Sequence, residues 1–171
     1  MSVGADPDAP PADGEHTDRH GLAVRLRWWS ATLVLGGDGP ARGSLEVQAA
    51  ELGVDARFLG FLEREELPEF YSALDVFAFP SPIETQGLVA LEAMACGTPV
   101  VGVASGALID TIADGETGYH YPPGDVEAFE GALRRALAER DRLREECLSR
   151  REAVSVEHAI DELEAVYEDV R

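Results

Sequence analysis

The sequence predicts an α/β fold, a parallel sheet flanked by helices. Two observations carry that prediction. From residue 31 onward, short apolar runs alternate with segments of helical character, the pattern of βαβ units. The runs also end in turns, most of them rich in Gly or Pro, where a parallel sheet presents the carboxyl ends of its strands. In order, residues 32–35 (TLVL) read as a strand closed by Gly36-Gly37-Asp38-Gly39-Pro40, and 41–52 as a helix. Residues 56–60 (ARFLG) form a second strand and 67–73 a short helix. Residues 75–79 (DVFAF) form a third strand, 86–96 an apolar helix, and 99–103 (PVVGV) a fourth strand. A helical turn or two follows at 108–113 and a short strand at 118–121. Residues 126–171 then run helical with Gly131 as the one breaker, which implies two or three helices. The expected strand ends carry 36–40, 60–61, 80–86 and 103–106. Three of the four are Gly- or Pro-rich, as a backbone that closely approaches a ligand requires.

At 171 residues the chain suffices for one domain with a full core. Residues 1–30 are expected to be a disordered or irregular tail, because 1–21 are rich in Asp, Pro, Gly and Ala and cannot bury enough surface to order. Residues 31–171 are expected to be the domain. His16 and His20, in that tail, read as solvated rather than metal-bound. Asp and Glu total 33 against 14 basic residues, all Arg, for a net charge of −19. That balance disfavours nucleic acid and anionic membrane as electrostatic partners. The acids are scattered, which suits a solvated surface that stays hydrated in concentrated salt, as in a halophilic intracellular protein.

Cys96 and Cys147 form no CxxC pair and have no His at ligand spacing, so neither a disulfide framework nor a zinc site is indicated. No apolar run reaches the ~18 residues of a membrane span, and the N-terminus lacks a signal pattern. The cytoplasm is the expected compartment. Peripheral membrane contact stays open through residues 22–29 (LAVRLRWW), although those tryptophans can equally cover a core edge.

The segment from Pro80 to Gly97 (PSPIETQGLVALEAMACG) holds two glutamates, Glu84 and Glu92, with seven residues between them. From Leu88 to Cys96 every residue but Glu92 is Leu, Val, Ala, Met or Cys, so the helix is expected to be buried nearly all round. An ionised carboxylate there needs partners, unless it lies on one exposed strip; on the residues alone both readings stand. The preceding stretch leads from a strand into a helix start, whose free amides and dipole suit phosphate oxygens. Gly87 lets a ligand approach the backbone. Glu84 could accept hydrogen bonds from sugar hydroxyls, or be a solvated loop acid. Two helical turns separate the glutamates by about 10 Å, a span that fits two ends of one extended ligand and is wide for the ~5 Å of a retaining glycosidase pair. Gly37-Asp38-Gly39 invites a dinucleotide reading, but Arg42 stands where a third glycine belongs, and a plain turn explains it as well.

These stretches resemble a known family. LVLGGDGP at 33–40, FLGFLEREELPEF at 58–70, YSALDVFAFP at 71–80, ETQGLVALEAMACGTPVV at 84–101 and DGETGYHYPPGD at 114–125 are similar, in order and spacing, to the C-terminal nucleotide-sugar-binding domain of the family-4 (group 1) retaining glycosyltransferases. The resemblance covers residues 31–171. It implies a Rossmann-like domain, the C-terminal half of a glycosyltransferase B fold, with C-terminal helices. It implies a hexosyltransferase that uses a nucleotide-diphosphate sugar as donor substrate, retains the anomeric configuration, and needs neither catalytic metal nor further cofactor. It implies that Glu84 contacts donor-sugar hydroxyls and is the candidate catalytic residue. Glu92 would hold the ribose hydroxyls, which would also account for a buried carboxylate. Thr85, Gln86, Gly87 and Leu88 would bind sugar and diphosphate through the loop and helix start. Leu62 would lie by the nucleobase, and Gly37 in the first turn completes the donor-binding set.

Where the family more often has Glu-Gly-Phe-Gly this chain has Glu84-Thr85-Gln86-Gly87, a variant that resembles members acting on lipid acceptors. The family's opening strand, its Gly-Arg turn, its Lys-bearing helix and its N-terminal acceptor domain have no counterpart here, and Arg25 and Arg27 do not match them. The expectation is therefore a truncated or split member, completed by an acceptor-binding domain on another chain. The alternative is a donor-binding remnant or subunit without turnover. A nicotinamide oxidoreductase is disfavoured by the missing third glycine.

Overall fold

The computed structural model describes residues 31–169, so the expectations for the tail, its histidines and the 22–29 patch lie outside the described residues. The described residues form two compact units, one ending at Arg64 and the other beginning at Glu65.

The first unit is a right-sized βαβ element: β1 (Leu33–Gly36), α1 (Arg42–Leu52) and β2 (Ala56–Gly60). The two strands pair in parallel, Leu33 opposite Ala56 through Leu35 opposite Phe58, and a bulge then sets Gly36 opposite Gly60. A parallel pair requires such a crossover, because a tight turn cannot reverse the chain twice. Helix α1 stops at Gly53, whose φ of 65° closes a left-handed cap, with Gly53 N–H donating to Ala50 O and Val54 N–H to Ala49 O. A 380 Å³ concavity opens between α1 and β2, lined in part by Arg42, Glu46, Val54 and Phe58.

The second unit holds a parallel sheet in the order β3 (Phe77–Phe79), β4 (Val100–Val103), β5 (Gly118–Tyr121). All four residues of β4 are buried, as expected for a central strand covered on both faces. Gly118 has no alternative there: a Cβ would be driven into the Val100 carbonyl. Around the sheet lie α2 (Leu67–Ser72), α3 (Leu88–Ala95), α4 (Leu108–Thr111), α5 (Val126–Ala138) and α6 (Arg140–Ser149), then a 3-10 turn at Glu152–Val154 and α7 (Val156–Asp169). Asp125 caps α5 by accepting from Ala128 N–H at 2.8 Å. The core is built from Val100, Val101, Leu108, Ile112, Leu143 and Cys147, each at most 2% exposed. Burial pushes the Cys147 thiol up to about 11, and its Sγ approaches Thr117 O at 3.5 Å.

The α/β architecture with parallel strands and flanking helices is as the sequence predicts, and β2 and β5 have the expected bounds. Two local expectations need correction. Gly131 lies inside α5 and breaks nothing, because an exposed helical glycine costs only about 1 kcal/mol relative to alanine. The chain instead breaks at Glu139 and again between Arg150 and Ser155. Helix α3 begins at Leu88, two residues late, because a side chain has taken the preceding amides. Among the described residues, no helix is long and apolar enough to cross a membrane.

Candidate functional site

Strands β3 and β4 are adjacent and parallel, so the loops leaving Phe79 and Val103 emerge at the same, carboxyl end of the sheet. The first loop carries the Glu84 turn. Glu84 Oε1 accepts three main-chain hydrogen bonds, from Thr85 N–H at 3.0 Å, Gln86 N–H at 3.2 Å and Gly87 N–H at 3.1 Å. One carboxylate oxygen thus organises the whole turn. The amides of Gly87 and Gln86, and to a lesser degree that of Thr85, hold the Glu84 carboxyl below its ordinary range against the opposing effect of burial. Among the described residues Oε2 has no hydrogen-bond partner.

Gly87 closes the turn at φ 69° and is the N-cap of α3. That left-handed φ favours glycine, and a Cβ would also stand 2.8 Å from Thr111 Oγ1. The sequence expectation placed the Gln86, Gly87 and Leu88 amides together as phosphate donors. In the structure those of Gln86 and Gly87 point at Glu84, while Leu88 and Val89, as the first residues of α3, have amides with no intrahelical acceptor.

Helix α3 buries Ala90, Ala93 and Met94 and exposes Leu88 and Glu92, four residues apart on one strip. The expectation of a buried Glu92 is corrected: the carboxylate is exposed, so it needs no ligand to offset desolvation. The Tyr71 hydroxyl donates to its Oε2 at 3.0 Å. Burial, and then the hydrogen bond to Glu92, raise the Tyr71 pKa well above its ordinary value. Tyr71 is itself 4% exposed, held by edge-on packing against Phe77 and by Thr98 Oγ1 donating to its carbonyl at 2.6 Å. The ring is a rigid post that fixes where Glu92 points.

The second loop presses on the first. Ser105 Oγ donates to Pro82 O at 3.0 Å, and Ala107 N–H donates to Glu84 O at 3.2 Å. Gly106, at φ 57°, lies so close that a Cβ would stand 2.7 Å from the Glu84 carbonyl oxygen. The sequence had marked 103–106 as a strand-end turn without assigning these residues. The post under Glu92 left no sequence signal, because Tyr71 is 21 residues away on another helix.

The structure thus gathers Glu84, Thr85, Gln86, Gly87, Leu88 and Glu92 at one edge of the second unit. Gly37 and Leu62 belong to the first unit. Gly37 has φ 114° with open space around it and donates to Gly60 O at 2.7 Å, and Leu62 is half-buried. Arg42, where a dinucleotide fingerprint would need glycine, spreads its guanidinium over Glu46 Oε1 at 2.9 Å, Phe58 O at 3.2 Å and Asp38 Oδ2 at 3.4 Å.

Three comparisons bear on this arrangement. The family model for glycosyl transferases group 1 matches residues 29–152. The chain is 39% identical over 155 residues to the 2-deoxystreptamine N-acetyl-D-glucosaminyltransferase of Streptomyces fradiae, an alignment that covers 82% of this chain and 37% of that protein. Its fold superposes on sucrose-phosphate synthase from Thermosynechococcus elongatus with a TM-score of 0.73 at 33% identity, covering 86% of this chain and 40% of that one. It also superposes on Anabaena HepE in complex with UDP-glucose, with a TM-score of 0.62 at 26% identity, covering 71% and 35%. The chain spans 22% to 37% of the length of three curated relatives it matches.

Proposed function

The chain belongs to the group 1 glycosyl transferases, and we propose that within that family it binds the donor, a nucleoside-diphosphate hexose, for retaining transfer to a glycan or lipid acceptor. The observation that carries this reading is the single exposed edge holding Glu84, the turn it organises, the α3 start and Glu92. Each group has chemistry to contribute. The Leu88 and Val89 amides and the α3 dipole stabilise negative charge that grows on a departing diphosphate. Glu92, steadied by Tyr71, accepts from the two ribose hydroxyls. Glu84 turns Oε2 toward the sugar hydroxyls while Oε1 holds the turn, and so orients the anomeric carbon for attack. Thr85, Gln86, Gly87 and Leu88 line that edge.

The UDP-glucose held by HepE supports a uridine-diphosphate donor. Because the relatives are longer, turnover is proposed for the assembly that includes an acceptor-binding domain. The cytoplasm and a high-salt setting suit the acidic composition. Calorimetry in molar potassium chloride tests the reading. UDP- or GDP-hexose should bind the wild-type chain, and Glu92→Ala should weaken binding about tenfold, the loss of one charge-assisted contact of ~1.5 kcal/mol. Absence of binding to either nucleotide sugar, or an unchanged affinity in Glu92→Ala, would contradict it.

A further inference from the structure

Glu84 is held at two points: its carboxylate by the turn in front of it, and its main chain by residues 105–107 behind it. The rear contacts come from a different loop, more than twenty residues on. Ser105 Oγ fixes the Pro82 carbonyl, Ala107 N–H fixes the Glu84 carbonyl, and Gly106 fills the gap with no atom to spare. The rear loop is itself anchored on rigid parts. Ala104 N–H donates to Tyr121 O of β5 at 2.7 Å, and Thr111 Oγ1 closes α4 onto Ala107 O at 2.8 Å. The same Thr111 hydroxyl faces Gly87 at the limit of what a bare backbone permits. His120 Nε2, on β5, lies 2.9 Å from Leu108 O and steadies the start of α4.

We infer that residues 105–111, through Ser105 and Gly106 and anchored by Thr111, form a strap that positions Glu84 for the donor sugar, so that this segment sets recognition of the sugar rather than of the nucleotide. This rests on the donor reading above. Glu92 is held instead by Tyr71, and among the described residues it has no hydrogen bond or ion pair with residues 105–111. The two ends of the site are therefore positioned by separate parts of the fold. A defect in the strap should move Glu84 and leave Glu92 in place. A Cβ at Gly106 cannot be absorbed by a flexible neighbour, because what it meets is the Glu84 backbone.

The test uses Gly106→Ala and the milder Ser105→Ala in the full chain, with two readouts. Amide exchange of Thr85, Gln86 and Gly87 should accelerate about tenfold in Gly106→Ala and a few-fold in Ser105→Ala, the loss of ~0.5–1.5 kcal/mol of local order. Exchange of the β4 amides should stay at the wild-type rate, which separates a local effect from unfolding. Calorimetry with UDP and with UDP-glucose should show UDP affinity within twofold of wild type and UDP-glucose affinity reduced about tenfold. Wild-type exchange at 85–87 in both variants overturns the strap, and so does an equal loss of UDP and UDP-glucose binding. If the wild-type chain binds neither probe, the donor reading fails, and the exchange arm still decides whether the strap orders the turn.

Discussion

Glu84 does with one oxygen what a helix start usually leaves to a Ser or Asp cap, and it does so for three successive amides at once. Its lowered pKa links the order of the turn to pH. A carboxyl whose folded pKa lies below its unfolded value contributes stability that is complete above the ordinary 4.5 and is lost as pH falls through the folded pKa. Amide exchange at 85–87 should therefore be independent of pH above about 5, once corrected for intrinsic rates. It should speed up as pH drops below 4.5, and Glu84→Gln should abolish that pH dependence. Tyr71→Phe removes the post beneath Glu92 and should cost about 0.5–1.5 kcal/mol in denaturant unfolding. It should weaken nucleotide binding less than Glu92→Ala does, since the carboxylate remains. Spacing made the two glutamates visible in the sequence, because they stand with seven residues between them and the second is the one acid in an apolar helix. Tyr71 and Gly106 were not visible as site residues: each acts through a tertiary contact that no local pattern encodes.

Helix α3 shows how an element can mislead when read alone. Its composition is apolar on nearly every position, yet it exposes the strip with Leu88 and Glu92 and buries the Ala90, Ala93 and Met94 side. Composition reported the helix but not its orientation. The strands were the most legible elements, since short β-branched or aromatic runs between glycines leave little freedom in register. The C-terminal helices were less so. Gly131 is a weak breaker and was overridden by the packing of Phe129, Ala132 and Ala136. Leu143 of α6 is fully buried, and Leu143→Ala should destabilise the second unit by about 2–5 kcal/mol in thermal or denaturant unfolding. Asp125→Ala, which removes the α5 cap, should cost about 1 kcal/mol by the same measurement.

At the scale of the whole molecule, charge dominates. A net charge of −19 on 171 residues is self-repelling, and ion pairs such as Arg142 with Glu139 and Arg150 with Glu116 lie on exposed side chains, where each contributes little. Screening shortens the reach of that repulsion from about 10 Å at 0.1 M salt to about 3 Å at 1 M. The melting temperature, followed by circular dichroism, should therefore rise between 0.1 and 1 M potassium chloride. A flat or falling curve would mean the ion pairs outweigh the repulsion. The family was legible because the Glu84 to Glu92 block is long and specific. The nucleotide base and the acceptor were not, since the spacing of the two glutamates encodes neither. The central claim is that the edge with Glu84 and Glu92 binds a nucleoside-diphosphate hexose, and calorimetric titration of UDP-glucose and a GDP-hexose into wild type and Glu92→Ala tests it most directly. Saturable one-to-one binding of one of them is expected, weakened about tenfold in the variant, a change of ~1.4 kcal/mol; no binding of either sugar nucleotide, or equal binding by both proteins, would rule out that role for the edge.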